Sequence, residues 1–380
     1  MMNKDINDFI DNWKAEILTL LEDLVNMDSA TEYKKGVDDV GDYLSQKFLE
    51  IGLQIEKVPQ KKYGDHIICR LKGDGENTLI VGHFDTALPK GSPKKRPFKI
   101  IGNKGIGCGV ADMKAGIISA FFAIKSILKT TELKPNITLI LNSDEEPGSP
   151  TSREIIKREA PKSTRAFIME PGEYNSIITQ RKGVGVFTFT TKGIAAHAGA
   201  EPEKGRNAIV ELGHMILELS QLNDYERGIT VNVGVIEGGT YPYVVAEKAI
   251  AKVDCRIPTK KDGESLKIKF NEIVSISKVK DVKRSVQGDF HRPPMEKNND
   301  TLGLIKIIKN IAKELNIPIQ EASSGAVSDG NLTSSIGIPT IDGMGPVGAG
   351  FHGPKEYVEI NSIFERTKLL AQTLYKIYNA

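Results

Sequence analysis

Apolar positions recur at helical spacing through 5–27 and again through 35–51, which predicts two opening helices. After them, short apolar runs alternate with longer amphipathic ones. "TLIVGHFD" (78–85) predicts a buried strand and "DMKAGIISAFFAIKSIL" (112–128) a largely apolar helix. "NITLILN" (136–142) predicts a strand, "SREIIKREA" (152–160) a helix and "RAFIME" (165–170) a strand. This alternation is the rhythm of an α/β domain, a mostly parallel sheet sandwiched by helices.

Near Gln180 the period changes to two. "GVGVFTFTTKG" (183–193) alternates like a half-exposed antiparallel strand. A helix follows at 207–222, then strands in "ITVNVGVIEGG" and "KAIAKVDCRIP", a helix after Gly263 and a strand in "VKRSVQG". The β-α-β-β-α-β order predicts a small ferredoxin-like α+β domain of about 110 residues. The first rhythm then returns, with a helix at 301–315, a strand in "IPTID" and a last helix at 362–378. The reading is a catalytic domain (1–181 and 292–380) carrying an inserted domain (182–291). A chain of 380 residues agrees with more than one core.

Composition narrows the partners. Net charge is +2, from 51 basic and 49 acidic residues, so no electrostatic case exists for nucleic acid or an acidic membrane surface. The N-terminal helix is interrupted by acidic residues and has no apolar h-region, so it does not read as a signal peptide. No apolar run reaches the length of a membrane span. Three separated cysteines, Cys69, Cys108 and Cys255, form no CxxC pair and predict a reducing, cytoplasmic setting.

Candidate chemistry gathers where strands end, which is where open α/β sheets bind ligands. "GHFDT" puts His83 and Asp85 two apart, on one face of an extended segment. Asp112 lies in the glycine-rich "GCGVADMKAG", Glu145 and Glu146 in "NSDEEPG", Glu170 in "IMEPG" and His352 in "GAGFHGPKEY". Singly, a histidine near a strand is a satisfied core or surface residue and an acidic pair is a solvated turn. Two imidazoles and five carboxylates at successive strand ends or in glycine-rich loops make a metal-ligand set. Nitrogen and oxygen donors without thiolate suit Zn²⁺, with Co²⁺ or Mn²⁺ possible. The set is too large for one tetrahedral zinc and fits two metals bridged by a carboxylate.

The runs His83-Phe84-Asp85-Thr86, Gly109-Val110-Ala111-Asp112-Met113-Lys114 and Ser143-Asp144-Glu145-Glu146-Pro147-Gly148 closely resemble those of the M20 family of di-zinc peptidases and deacylases. The resemblance covers essentially the whole chain. It implies two Zn²⁺ per subunit: one held by His83 and Glu170, the other by Glu146 and His352, with Asp112 bridging both. It implies that Asp85 orients His83, that Glu145 is the general base, and that the peptide bond after Asp112 is cis. It implies that the inserted domain is a lid and homodimerisation domain whose His197 stabilises the oxyanion in the partner subunit's site. It also implies that Asn232 and Arg256 bind the substrate's free α-carboxylate. Cys108 departs from the family, standing where many relatives have proline.

Glutamate at position 170, with "SDEEPGSPTSREII" and "EPEKGRNAI", is most similar to the glutamate carboxypeptidase branch. The implied activity is hydrolysis of the amide bond to a C-terminal amino acid in a small peptide or N-acyl substrate. The alternative is a deacylase of N-acetyl or N-succinyl amino acids, of the acetylornithine deacetylase or succinyl-diaminopimelate desuccinylase type. A non-catalytic homologue would lack part of the ligand set or the base, and every expected position is filled.

Overall fold

A computed structural model describes residues 2–172 and 175–379. The chain forms two compact units. The first comprises Met1–Thr179, Lys297–Ser323 and Ser328–Ala380, the second Gln180–Glu296 with Ser324–Val327. The second unit is thus wider than 182–291. Backbone hydrogen bonds between Arg181 and Met295, and from the Lys182 amide to the Ser324 carbonyl, bind the extra segments to it.

The main sheet of the first unit has the strand order Gln54–Val58, His66–Leu71, Pro135–Asn142, Asp74–His83, Arg165–Ile168, Thr340–Ile341. The last four strands are mutually parallel, and the first two join antiparallel. The central strand is buried from Leu79 to His83. A strand covered on both faces needs such a continuous apolar run. Its carboxyl end carries His83. The parallel neighbours deliver Ser143–Glu146 and Glu170 just beyond their own ends.

A second sheet was not legible in the sequence. It has the order Lys99–Ile101, Lys104–Ile106, Tyr357–Glu359, Gly345–Ala349, Pro171–Gly172. Its strands are two to five residues long. It nevertheless gathers three ligand-bearing segments. Asp112 follows Lys104–Ile106, Glu170 precedes Pro171, and His352 lies between the other two strands.

The second unit has strands Gly183–Lys192, Thr230–Gly238, Lys248–Ile257 and Lys283–Arg292, with helices Ala208–Ser220 and Lys260–Ser275. The sheet is antiparallel throughout. The helices pack on the face carrying Phe187, Phe189, Val253 and Cys255.

Several predicted elements shift for local reasons. The helix expected at 5–27 is two helices, Lys4–Asn12 and Lys14–Asn26, broken at Trp13 (φ −103°, ψ 11°). The indole stacks on Phe9 at 5.0 Å, and Lys125 Nζ lies 3.9 Å from its centroid. The helix expected from 112 becomes regular only over Ala115–Thr130, because Asp112 and Met113 have non-helical torsions. The helix placed after Gly263 starts at Lys260, capped by Thr259, which accepts the Asp262 amide. Gly263 is instead a packing glycine, since a Cβ there would come 2.6 Å from Ile257 Cδ1.

Candidate metal centre and active site

His83 enters the site with its ring orientation fixed. Its Nδ1–H donates to the Asp85 backbone carbonyl at 3.0 Å, and the Asp85 carboxylate lies 3.4 Å away. Nε2 is thereby turned towards Asp112 Oδ1 at 3.0 Å, with Glu170 Oε1 at 3.7 Å. The Asp85 side chain has a wider role than the sequence indicated. Buried completely, it accepts Thr31 Oγ1 at 2.8 Å and the amides of Glu145 and Glu146 at 3.2 and 3.4 Å. It links the His83 strand to the acidic turn.

That turn is also held from behind. The Asp144 carboxylate accepts the amides and hydroxyls of Thr151 and Ser152, capping helix Ser152–Glu159. His66 Nδ1 accepts the Ser143 amide, so its Nε2–H donates to Thr151 Oγ1 at 2.8 Å. Burial pushes the His66 pKa down, which keeps the ring neutral. Asp329 accepts Asn142 Nδ2 at 2.6 Å and Ser149 Oγ at 2.5 Å. Glu146 leaves this frame towards Ala87, whose amide its Oε1 accepts at 2.9 Å, and towards His352, 3.1 Å from its Oε2.

Asp112 is the junction. Its Oδ1 faces His83 and its Oδ2 faces His352 Nε2 at 3.1 Å. His352 reaches it from a left-handed backbone position (φ 58°) and is 57% exposed. The Asp112–Met113 peptide bond is cis. Gly109 precedes it at φ 65°. The carboxylate of Glu356 accepts the amides of Gly109, Ala111 and Asp112 at 3.0, 3.0 and 3.2 Å. Sequence reading missed this residue. Burial pushes its carboxyl up to about 7, with the three amides pulling the other way.

Protonation preferences in the cluster diverge. Burial, then the charge of Asp112, drives the Glu170 carboxyl well up, and the charge of Glu145 is felt there too. Burial also raises Asp85. Burial acts the same way on Asp112, but hydrogen bonds from His352 and His83 hold its carboxyl well below the usual range. Hydrogen bonds to Asp112 and Glu146 raise His352 to about 10.

Two triplets result, His83–Asp112–Glu170 and Asp112–Glu146–His352, each with ligand atoms within 4.8 Å of one another. Three nitrogen and oxygen donors per position leave room for substrate or water on each ion. The crowded carboxylates supply negative charge that a pair of divalent cations would neutralise. The residues therefore fit a shared two-metal site.

The positions predicted in the second unit stand differently. His197 is exposed, and its Nδ1 accepts the amides of Gly199 and Ala200 at 3.1 Å, leaving the proton on Nε2. Asn232 pairs in register with Asp254 on the sheet face opposite the helices. The Arg256 guanidinium is already forked onto Asp254, at 2.9 and 3.1 Å.

The fold and the cluster together define a metallohydrolase built from an α/β unit and an α+β unit. The family model for Peptidase family M20/M25/M40 matches residues 79–376, and the chain belongs to this family. Carboxypeptidase G2 of Pseudomonas sp. (strain RS-16) is 27% identical over 368 residues, covering 94% of this chain and 88% of that protein. Succinyl-diaminopimelate desuccinylase of Bordetella avium (strain 197N) is 24% identical over 382 residues, covering 95% and 98%. Among solved structures, aminopeptidase PepT from Bacillus cereus ATCC 10987 superposes with a TM-score of 0.83 at 21% identity, covering 96% of this chain and 98% of that one. Among the described residues no helix is long and apolar enough to cross a membrane.

Proposed function

We propose that the protein is a two-zinc exopeptidase of the carboxypeptidase type. It would release a C-terminal amino acid from a small peptidyl or N-acyl substrate. The observation that carries this reading is the pair of triplets sharing Asp112, with Glu145 beside Glu146 on the same anchored turn. His83, Asp112 and Glu170 would hold one ion, and Asp112, Glu146 and His352 the other. When bound, such ions polarise the scissile carbonyl and acidify the attacking water. Glu145 takes the proton of that water and passes it to the leaving amine. Asp85 holds the amide of Glu145 and so sets where its side chain starts.

Glutamate at 170 and the likeness to a carboxypeptidase over nearly the whole chain favour release of a C-terminal residue. Arg256 and Asn232 would grip the free α-carboxylate, with the Arg256 fork transferring from Asp254 to substrate. His197 offers Nε2–H as an oxyanion donor and would act across a homodimer. The helix Ala208–Ser220 leaves Ile209, Val210 and Leu217 exposed, and strand Thr230–Gly238 leaves Ile236, which pairs with Ala251 of the helix-covered face, exposed as well, apolar surface suited to a second copy. The three cysteines are free and buried, which fits a cytoplasmic protein. A deacylase acting on N-succinyl or N-acetyl amino acids is the second reading, favoured by the likeness to a desuccinylase.

Amino-acid release from a panel of dipeptides and N-acyl amino acids, with added Zn²⁺ or Co²⁺, separates the readings. C-terminal release is expected, falling at least ~10²-fold in Glu145→Ala with both ions retained. Release from N-acetyl or N-succinyl substrates alone would replace the carboxypeptidase by the deacylase. Silence with both ions bound would overturn both.

A further inference from the structure

We propose that Glu356 is a positioning residue for the shared ligand: its buried carboxylate clamps the Asp112 loop and ties it to the His352 loop. The inference rests on reading Asp112 as the bridge between two ions.

The clamp follows from strand register. Tyr357 pairs with Ile106 across the second sheet. Glu356 therefore enters next to the start of the Gly107–Asp112 turn, and its carboxylate reaches three amides along it. Oε2 takes Gly109, and Oε1 takes both Ala111 and Asp112. Together these bonds fix the backbone on both sides of Val110 and up to Asp112 itself. Asp112 has φ −113° and ψ 91°, outside any helix that would hold it by its own hydrogen bonds. The amides are donors without a regular partner, and one side chain satisfies all three.

A carboxylate is a costly choice here. Glu356 is 1% exposed and lies close enough to Asp112 for the two charges to oppose each other. Neutral acceptors or a buried water could cap a turn more cheaply. What a carboxylate adds is two oxygens in a fixed plane, each accepting strongly, and so a defined orientation of the loop. Asp112 needs that definition because its two oxygens serve different imidazoles, at 3.0 and 3.1 Å. Metal sites tolerate only a few tenths of an ångström in ligand position. Glu356 also stands four positions after His352. One short segment thus supplies a ligand to one ion and the clamp on the ligand shared by both.

The test is Glu356→Gln, which keeps the shape but turns one acceptor into a donor. In either amide orientation at least one of the three backbone N–H groups then faces N–H. Zn²⁺ stoichiometry and affinity would be measured by chelator competition, alongside the visible spectrum of the Co²⁺-loaded protein, kcat, KM and thermal unfolding. Both ions are expected to weaken together, by about 10–100-fold, as for loss of a partner that orients a ligand. The Co²⁺ spectrum should change and kcat should fall with KM nearly constant. Glu146→Gln, which touches one triplet, should weaken one ion only. Wild-type affinity for both ions with an unchanged Co²⁺ spectrum would overturn the proposal, whatever the melting temperature, and leave Glu356 a loop staple. Glu356→Asp, judged by the same readouts, serves if the glutamine variant does not fold. Wild-type protein binding fewer than two ions, or Asp112→Asn retaining both, would instead remove the shared-ligand reading and the inference with it.

Discussion

Replacing Asp85 by asparagine separates holding a fold from tuning a ligand. The carboxylate is fully buried, and its oxygens divide their work. Oδ1 takes the Glu145 amide and faces His83 Nδ1, while Oδ2 takes Thr31 Oγ1 and the Glu146 amide. Placing the new NH₂ at Oδ1 would set two donors against it. It will therefore sit at Oδ2, where Thr31 can reverse its hydroxyl and only the 3.4 Å bond from Glu146 is lost. That weak bond is worth about 1 kcal/mol. Burial already raises the Asp85 carboxyl, so removing its charge relieves desolvation and offsets part of the loss. Stability measured in excess chelator should fall by no more than ~1–2 kcal/mol. Ligand chemistry should suffer more. Without the neighbouring charge His83 becomes a poorer donor, and zinc affinity should drop about 10–100-fold, with kcat/KM falling in step and partly restored by excess zinc. Zinc competition, kinetics at two zinc concentrations and urea unfolding give all three quantities. Wild-type zinc affinity and kcat would refute the reasoning. A loss above ~3 kcal/mol in chelator would show that the carboxylate is mainly a structural anchor.

Two further outcomes follow from the same neighbourhood and its support. Gly109→Ala meets a left-handed backbone and places a Cβ 2.4 Å from Thr86 Cγ2. It should cost roughly 2–4 kcal/mol in denaturant unfolding, and adding Thr86→Ser should recover the clash but not the backbone part; no recovery would refute the assignment. Although burial works the other way, hydrogen bonds from Arg70, Lys162 and Arg158 lower the Glu159 carboxyl to about 2. A depressed native pKa gives stability that is present above the unfolded value near pH 4.5 and lost as pH falls through 2. Arg158 and Lys162 are half-exposed, so screening trims the contribution to about 1–2 kcal/mol. Glu159→Gln should flatten the stability profile over that window by this amount, and a profile parallel to wild type would contradict it.

Legibility in the sequence tracked the strength of local pattern. His83, the Glu145–Glu146 pair and Glu170 follow continuous apolar runs bounded by polar or turn residues, so their placement at strand ends needed only sheet logic. Asp112 and His352 sit in glycine-rich turns without periodicity, and resemblance alone gave them roles. The second sheet that positions both escaped because strands such as "KGI" and "GPVGA" are too short and too glycine-rich to show alternation. Glu356 was hidden for the same reason, since its importance lies in a register between two such strands. Arg256 is different, for a signal was present. Asp254 stands two positions earlier on the same strand and therefore on the same face, within reach of a guanidinium fork. A candidate carboxylate-binding arginine should be checked first for an acid at that spacing.

The electrostatics of the cluster frame the turn that carries two adjacent glutamates. Burial pushes Asp85 and Glu170 towards their neutral forms, whereas the imidazoles keep Asp112 ionised. Carboxylates whose preferences are driven apart can divide labour among themselves. Glu146 is held by two contacts, the Ala87 amide on one oxygen and His352 on the other, which suits the ligand role proposed for it. Glu145 shares its anchor, since both amides rest on Asp85. Its charge is nevertheless felt at Glu170, on the opposite triplet. We propose that Glu145, anchored beside Glu146 on the same turn, exchanges protons with whatever lies between the two triplets. A general base must lie within reach of the proton it takes, and the Glu145→Ala variant tests that role.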